Sequence, residues 1–234
     1  MRLFNLYDWI PEKNIQTKIV SLIKNHQPDV LSLQEYHPHK KVDLSFYPHK
    51  YEALSGKRIQ YGQAIFSKFP IVNSGSIEFP DTANNAIFAD VVKGNDTIRV
   101  YNVHLESLRI TKDVEQLNTE DSERIFKSVG KTFEMQQFQS ELFLLHKKSC
   151  KYPMIICGDF NNTPYSYVYR KIKGDLTDAF VEAGNGFGKT FNFKYFPIRI
   201  DYVLADKAFV VNSFKTLDEK LSDHFPVIAE LKLN

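Results

Sequence analysis

Cysteine is scarce: the 234 residues hold two, Cys150 and Cys157, too few for a disulfide framework. Cys157 lies inside the apolar run MIICGDF and is expected to be a small buried hydrophobe. Excess charge of one sign is missing as well. Thirty Lys and Arg against 28 Asp and Glu leave a formal +2, whereas a dedicated non-specific nucleic-acid binder is normally far more basic. No apolar run approaches the roughly 18 residues of a membrane-spanning helix, and no signal peptide opens the chain. Repeats, linkers and low-complexity tracts are absent, and no shift in composition marks a boundary, so a single domain over residues 1–234 is expected.

What is present is the composition of an ordinary globular protein. With 43% hydrophobic and 25% charged residues, the chain is not a disordered one and is long enough to bury a real core. Its 19 Phe and 12 Tyr are those of a protein with aromatic packing in β-sheets. Three basic pairs, Lys57-Arg58, Lys147-Lys148 and Arg170-Lys171, read as solvated surface or as contacts to a phosphate backbone. Met1 to Phe4 enter an apolar strand pattern at once, which fits a natural start and equally a start cut close to a first strand.

Helix and strand signals alternate along the chain. Residues 14–26 place Ile15, Ile19, Leu22 and Ile23 at helical spacing, with Asn14 as a cap, and Pro28-Asp29 ends the helix. Val30 to Leu33 predicts a short strand that delivers Gln34-Glu35, and Ala64 to Phe66 another. Ala86 to Val92 and Thr97 to Leu105 read as a hairpin joined by Lys93-Gly94-Asn95-Asp96. Arg109 to Ser128 is polar and of mixed charge, which predicts a surface loop or a flap gating a pocket. Phe133 to Lys148 reads as a helix with Phe138, Leu142 and Leu145 along one face. Met154 to Cys157 predicts a buried strand ending in Gly158-Asp159, Tyr165 to Ile172 a short helix, and Ile200 to Leu204 and Val227 to Leu231 the last strands. Strand runs separated by single helices, with hairpins among them, predict a mixed α/β protein of two face-to-face sheets with helices outside.

Polar residues stand repeatedly at the ends of the apolar runs. They occur in LSLQEY (Leu31 to Tyr36), YNVHLES (Tyr101 to Ser107), IICGDFNNTP (Ile155 to Pro164), RIDYVLAD (Arg199 to Asp206) and LSDHFPV (Leu221 to Val227). A strand end is a rigid mount for a charged group at a pocket mouth. Hydrolysis of a phosphoester needs a divalent ion against developing charge, a carboxylate to position or deprotonate water, and donors to the phosphoryl oxygens. Glu35, Asp159, Asp201 and Asp223 supply carboxylates, Asn161 a neutral partner, and His104 and His224 imidazoles. Each alone also reads as a strand end, turn or cap. The combination, in this order, points to chemistry.

These motifs resemble the endonuclease/exonuclease/phosphatase superfamily of DNase I-like nucleases, abasic-site endonucleases, sphingomyelinases and inositol polyphosphate 5-phosphatases. LQE, NVHLES, GDFNNTP, RIDYVL and SDHFPV run in the family's order from near the N-terminus to residue 227. The resemblance implies a four-layered α/β sandwich and a phosphoester hydrolase using Mg²⁺ or Mn²⁺. It matches Glu35 to the family's metal-binding Glu and Asp223 to the Asp near the metal. Asp159 and Asn161 match the pair that orients the attacking water and the transition state. His224 matches the catalytic His, with Asp201 as its partner, an arrangement that fixes its tautomer and favours its charged form. His104 matches the His of the DNase and sphingomyelinase branches, where abasic-site enzymes carry Asn. The family's first strand ends in a metal-holding Asn, for which Asn5 is the candidate. YGQAIFSKFPIVNSG, DTIRVYNVHLES and DAFVEAGNGFGKTF are similar to bacterial, Bacteroidetes-type members, many with hydrophobic helices ahead of the catalytic domain. The resemblance therefore allows this chain to be the soluble part of an anchored protein. It implies nucleic acid, lipid or a small phosphoester as substrate; no protein partner is evident, and a monomer is expected.

Overall fold

The structure, a computed structural model, describes residues 14–57, 60–108, 119–193 and 196–234. Asn5, Arg58 and residues 109–118 lie outside the described residues. The first described element, α1 (Ile15–His26), buries Ile15, Ile19, Val20 and Ile23, the face that helical spacing predicts, while Leu22 is only partly covered. Asn14 does precede it, but in a left-handed conformation with no side-chain capping bond, so the expected cap is not made. Each isoleucine removed from water here contributes about 1.5–3 kcal/mol.

Alternation along the strands builds the layers. In β1 (Val30–Tyr36), Leu31, Leu33 and Tyr36 face α1 together with Ala64 and Phe66 of β3 (Tyr61–Ser67), which pairs antiparallel with β1 and with β2 (His49–Ser55). The opposite side of this sheet, with Val30 and Ile65, meets Ile87, Ala89 and Val91 of β5 (Asn85–Lys93) and Val100 of β6 (Asp96–His104). Their other faces, Ala86, Phe88, Tyr101 and Val103, pack outward against Phe143 of α2 (Thr119–Lys147) and Val168 and Ile172 of α3 (Tyr167–Lys173). The order is helix, sheet, sheet, helices: the four-layered α/β sandwich expected.

The larger sheet runs β4 (Ile71–Glu78), β5, β6, β7 (Met154–Asp159), β9 (Asp201–Ala205), β8 (Thr177–Asp178). It is mixed, since β6 and β7 are parallel and its other pairs antiparallel. The β5–β6 hairpin turns where predicted: Lys93 pairs Asp96, and Gly94 takes the positive φ (65°) that a two-residue turn needs at its first position. A second hairpin, β10 (Phe209–Thr216) with β11 (Val227–Leu233), covers Val203 and Ile155 with α4 (Ala179–Ala183), extending the inner layer. Cys157 sits in that seam, partly rather than fully buried.

Two further expectations are corrected. From Thr119 onward the polar stretch is helix, not loop, because α2 begins there. Of Phe138, Leu142 and Leu145, only Leu142 packs against the core, and partly. Phe138 and Leu145 are exposed, and the buried positions among its described residues are Thr132, Gln136, Gln139, Ser140 and Phe143. The spacing is equally helical but the face is largely polar, and the reason lies in what it touches at the site. Among the described residues no helix is long and apolar enough to cross a membrane.

Candidate active site

Register places the site. At the parallel seam the last pair of β6 and β7 is His104 with Asp159, and β7 sets Asp159 opposite Asp201, the first residue of β9. Three polar side chains thus stand in a row on adjacent strands. The three-stranded sheet of β1, β3 and β2 joins them at the same end. Ser32 meets Cys157 through a 3.1 Å contact of its Oγ, Gln34 donates to Asn102, and the Asn102 amide donates to the Leu33 carbonyl (2.9 Å). Asn102 and Cys157 lie two residues before His104 and Asp159, so the chain past Leu33 carries Glu35 toward that pair. Glu35 is half-buried and adopts φ 50° at the irregularity where β1 slips register against β3. A non-glycine residue there is strained and needs its surroundings to hold it.

His224 arrives from the loop before β11. Phe191 bridges it on the backbone and sets its ring edge-on to the imidazole, with centroids 5.0 Å apart. His224 Nδ1 lies 2.9 Å from Asp201 Oδ2. Burial pushes the Asp201 carboxyl up, but the His224 charge and hydrogen bond, with a further bond to Thr190, outweigh it and hold it below the usual carboxylate range. An ionised carboxylate only accepts, so Nδ1 carries the proton and donates it. The Thr190 hydroxyl also accepts from the Ile200 and Asp201 amides (3.0 and 3.1 Å), which fixes where β9 begins. With Nδ1 so engaged, His224 Nε2 turns to Asp159 Oδ2 at 3.7 Å; His104 Nε2 reaches the same oxygen at 3.8 Å.

Asp159 itself is held by its other oxygen. Oδ1 accepts from the Asn161 amide (2.8 Å), and the Asn161 carboxamide donates to the Leu105 carbonyl (2.8 Å), tying the loop after β7 to the loop after β6. Asn161 takes φ 50°, a second strained non-glycine residue at the same spot. Gly158 makes the close β6–β7 approach possible: with φ 142°, a Cβ there would lie 1.9 Å from the Val103 carbonyl oxygen.

The structure therefore brings together His104, Asp159, Asn161, Asp201 and His224, all buried. Asp159, Asp201 and His224 also place ligand atoms within 4.8 Å of one another. Glu35 and Asp223 are outside that group. Asp223 sits beside His224, its carboxylate near the Ser222 hydroxyl (3.3 Å) and its carbonyl accepting from the Asn192 amide (2.8 Å). Asp206 is at the other end of β9, where Oδ1 accepts from the Ala208 amide (3.1 Å), a turn and not a site residue. Arg199, from the same motif, ion-pairs with Asp178 at 2.7 Å and stacks on Phe180 and Tyr202. Its role is to anchor the strand entry. Of the basic pairs, Lys147 donates to the Ile172 carbonyl (3.2 Å) and joins α2 to α3. Sequence reasoning missed Thr190, Phe191, Gln136 and Gln139. Only the last two carried a signal, as a polar stripe at helical spacing.

The pattern of the endonuclease/exonuclease/phosphatase family matches residues 14–224. No curated protein matches the chain. An endonuclease/exonuclease/phosphatase structure from Bacteroides vulgatus superposes with TM-score 0.73 at 20% identity, covering 100% of this chain and 96% of that one. One from Beutenbergia cavernae gives TM-score 0.69 at 20% identity, covering 93% of this chain, which spans only 66% of its length. A Bacteroides thetaiotaomicron mannosyl-6-phosphatase gives TM-score 0.66 at 18% identity, with 93% and 90% covered. At these identities the likeness is one of fold. With a family match over almost the whole chain and that fold beneath it, the chain belongs to the endonuclease/exonuclease/phosphatase family, whose members are hydrolases acting on phosphoesters.

Proposed function

We propose that this chain is a divalent-metal-dependent phosphoester hydrolase that uses an Asp159-bound water and a His224–Asp201 pair. The observation carrying the reading is the row His104, Asp159, Asp201 on adjacent strands, with His224 closing over it at 2.9 Å from Asp201. Asp159, oriented by the Asn161 amide, accepts the proton of the attacking water. The water oxygen bonds to phosphorus, the bond to the ester oxygen breaks, and its electron pair leaves with the alkoxide, which solvent protonates. His224 Nε2 and His104 Nε2 flank the same carboxylate and donate to the phosphoryl oxygens as charge builds there.

The donor set suits Mg²⁺ or Mn²⁺. Hard oxygen ligands are at hand in Glu35 and Asp223, and such ions take one or two carboxylates and keep several waters. The buried trio of Asp159, Asp201 and His224 is less apt as a cage, because Asp201 is committed to the His224 proton. Glu35 and Asp223 would hold the ion, with Asn5 as a further ligand outside the described residues; when bound it offsets negative charge on the phosphoryl group. Hydrolysis of bis-p-nitrophenyl phosphate, a hexose phosphate, plasmid DNA and sphingomyelin, with Mg²⁺ and after EDTA, tests the reading. The sugar phosphate earns its place from the mannosyl-6-phosphatase of the same fold. Turnover that survives exhaustive chelation refutes the metal assignment. An Asp159→Asn variant as active as the wild type refutes the site.

A further inference from the structure

We propose that Gln136, in the middle of α2, is a positioning residue that sets the two loops carrying the active-site groups against each other. The inference rests on the proposed function above. Gln136 is fully buried, unusual for an uncharged polar residue in a helix interior unless every polar atom is used. Its Nε2 donates to the Glu106 carbonyl (2.7 Å) and to the Asn161 carbonyl (3.3 Å), while its Oε1 accepts from the Asn162 amide group (2.7 Å). Glu106 lies two residues after His104, and Asn161 two residues after Asp159. One carboxamide therefore spans the loops leaving β6 and β7 at the point where sheet pairing ends. Strand hydrogen bonding stops with the Leu105 amide donating to the Asp159 carbonyl (3.0 Å). Beyond it, the loops are joined by Asn161 on the sheet side and by Gln136 on the helix side.

The chemistry calls for an amide. Two carbonyls need a donor and one side-chain amide needs an acceptor, all within one buried spot. Glutamate supplies only the acceptor when ionised and sets a charge against two carbonyl oxygens; methionine fills the volume and supplies neither. Asn161 is the residue with most to lose. Its φ of 50° is unfavourable, its amide holds Asp159 Oδ1 at 2.8 Å, and its carbonyl is one of the two that Gln136 fixes. Release of that carbonyl lets Asn161 relax and turns Asp159 with it.

The test uses the full chain with Mg²⁺ and bis-p-nitrophenyl phosphate. Gln136→Met should fold, lose about 10- to 100-fold in kcat and change KM little, the signature of groups displaced by about an ångström rather than of lost binding. Its amide NMR shifts should move at Asn161, Asn162 and Glu106. Combined with Asn161→Ala it should cost little beyond Asn161→Ala alone, because it acts through that residue. Gln136→Glu should be slow at neutral pH and regain activity relative to the wild type as pH falls, since a protonated carboxyl donates again. A packing role alone would leave the Glu to wild-type ratio flat with pH. Should Gln136→Met fail to fold, Gln136→Glu, which keeps shape and acceptor, carries the same test. The inference is overturned if both variants keep wild-type kcat while Asn161→Ala is impaired, if the two positions are additive, or if the loss follows the unfolded fraction. If Asn161→Ala itself has the wild-type rate, the site reading fails instead.

Discussion

Gly158→Ala tests how tightly fold and site are joined. Gly158 lies in β7 beside Val103 of the parallel strand β6, one residue before the His104–Asp159 pair. A methyl group there would stand 1.9 Å from the Val103 carbonyl oxygen and 2.6 Å from its amide nitrogen, where ordinary contact begins at 3.4 Å. The seam must open by roughly 1.5 Å, and backbone has no rotamer with which to yield. The left-handed φ adds about 1–3 kcal/mol of strain, and the overlap about 1–3 kcal/mol. Together they remove about 2–6 kcal/mol from a fold whose total stability is of the order of 5–15 kcal/mol. For a domain of this size that lowers Tm by about 4–24 °C. The surviving folded protein should also be about 10²-fold slower, since the displaced strands carry the groups proposed to react. Gly94→Ala is the control: its φ is also positive, but nothing lies within 4 Å of the added methyl, so only about 1 kcal/mol of strain is expected and turnover should hold. Circular-dichroism melts and turnover of bis-p-nitrophenyl phosphate decide. A Gly158→Ala protein melting within about 2 °C of the wild type with full activity would refute the reasoning.

Three other outcomes follow from the geometry. Asp201→Asn should cost about 1.5–3 kcal/mol at neutral pH, as the Asn loses the charge-assisted bond to His224. Because the folded Asp201 carboxyl lies below its ordinary value, its contribution is complete above about pH 4 and is lost as pH falls through the folded value; the melting gap between wild type and variant should close only in that acid window, and a gap unchanged down to strong acid refutes the pairing. His224→Ala should lower kcat by about 10²–10⁴ with the fold retained, and turnover near that of the wild type removes this residue from the mechanism. Asp178→Ala should destabilise by about 3–5 kcal/mol, because it leaves the buried Arg199 guanidinium and the Tyr169 hydroxyl without their shared acceptor and uncaps α4; a loss below about 1 kcal/mol by urea titration contradicts it.

Much of the fold was legible because it obeys local rules. α1, the β5–β6 hairpin and β7 follow from apolar spacing and a glycine turn, and their bounds agree closely with expectation. Four strands were missed: the two-residue β8, too short to carry a pattern, and β2, β4 and β10, which have one wet face and a broken alternation, such as HKYEALS and IVNSGSIE. The strand character of these three comes from the partners β3, β5 and β11, a non-local cause that no window of sequence contains. The same holds for the start of α2. Thr119 to Ser128 carries no apolar face, so amphipathicity predicted a loop, yet the segment continues a helix anchored farther on.

The site was legible as a set of residue types but not as a mechanical assembly. His104, Asp159, Asp201 and His224 could be named because they stand at the ends of apolar runs; strand register then brings the first three into one row, and His224 reaches it from the loop before β11. What holds them at working distance is of another kind. Thr190 fixes the first residue of β9, Phe191 sets the imidazole plane, and Gln136 spans two loops; all three act through one or two bonds to residues distant in sequence. The polar stripe of Thr132, Gln136, Gln139 and Ser140 shows why hydrophobicity misled. A helix that packs on the outside of a sheet should bury apolar residues, and α2 does so where it crosses the middle of β6, with Phe143 edge-on to Tyr101 at 5.1 Å. One turn nearer the site it meets strand ends, whose carbonyls and amides no longer have strand partners. Apolar side chains there would leave those groups desolvated at about 1–3 kcal/mol apiece. Glutamine is long enough to reach two loops and carries both a donor and an acceptor, so a buried polar face is the stable solution where a helix passes from sheet to loops. In a helix paired with a GDFN-type strand end, the glutamine stripe rather than the apolar one is therefore the better guide to which face looks inward.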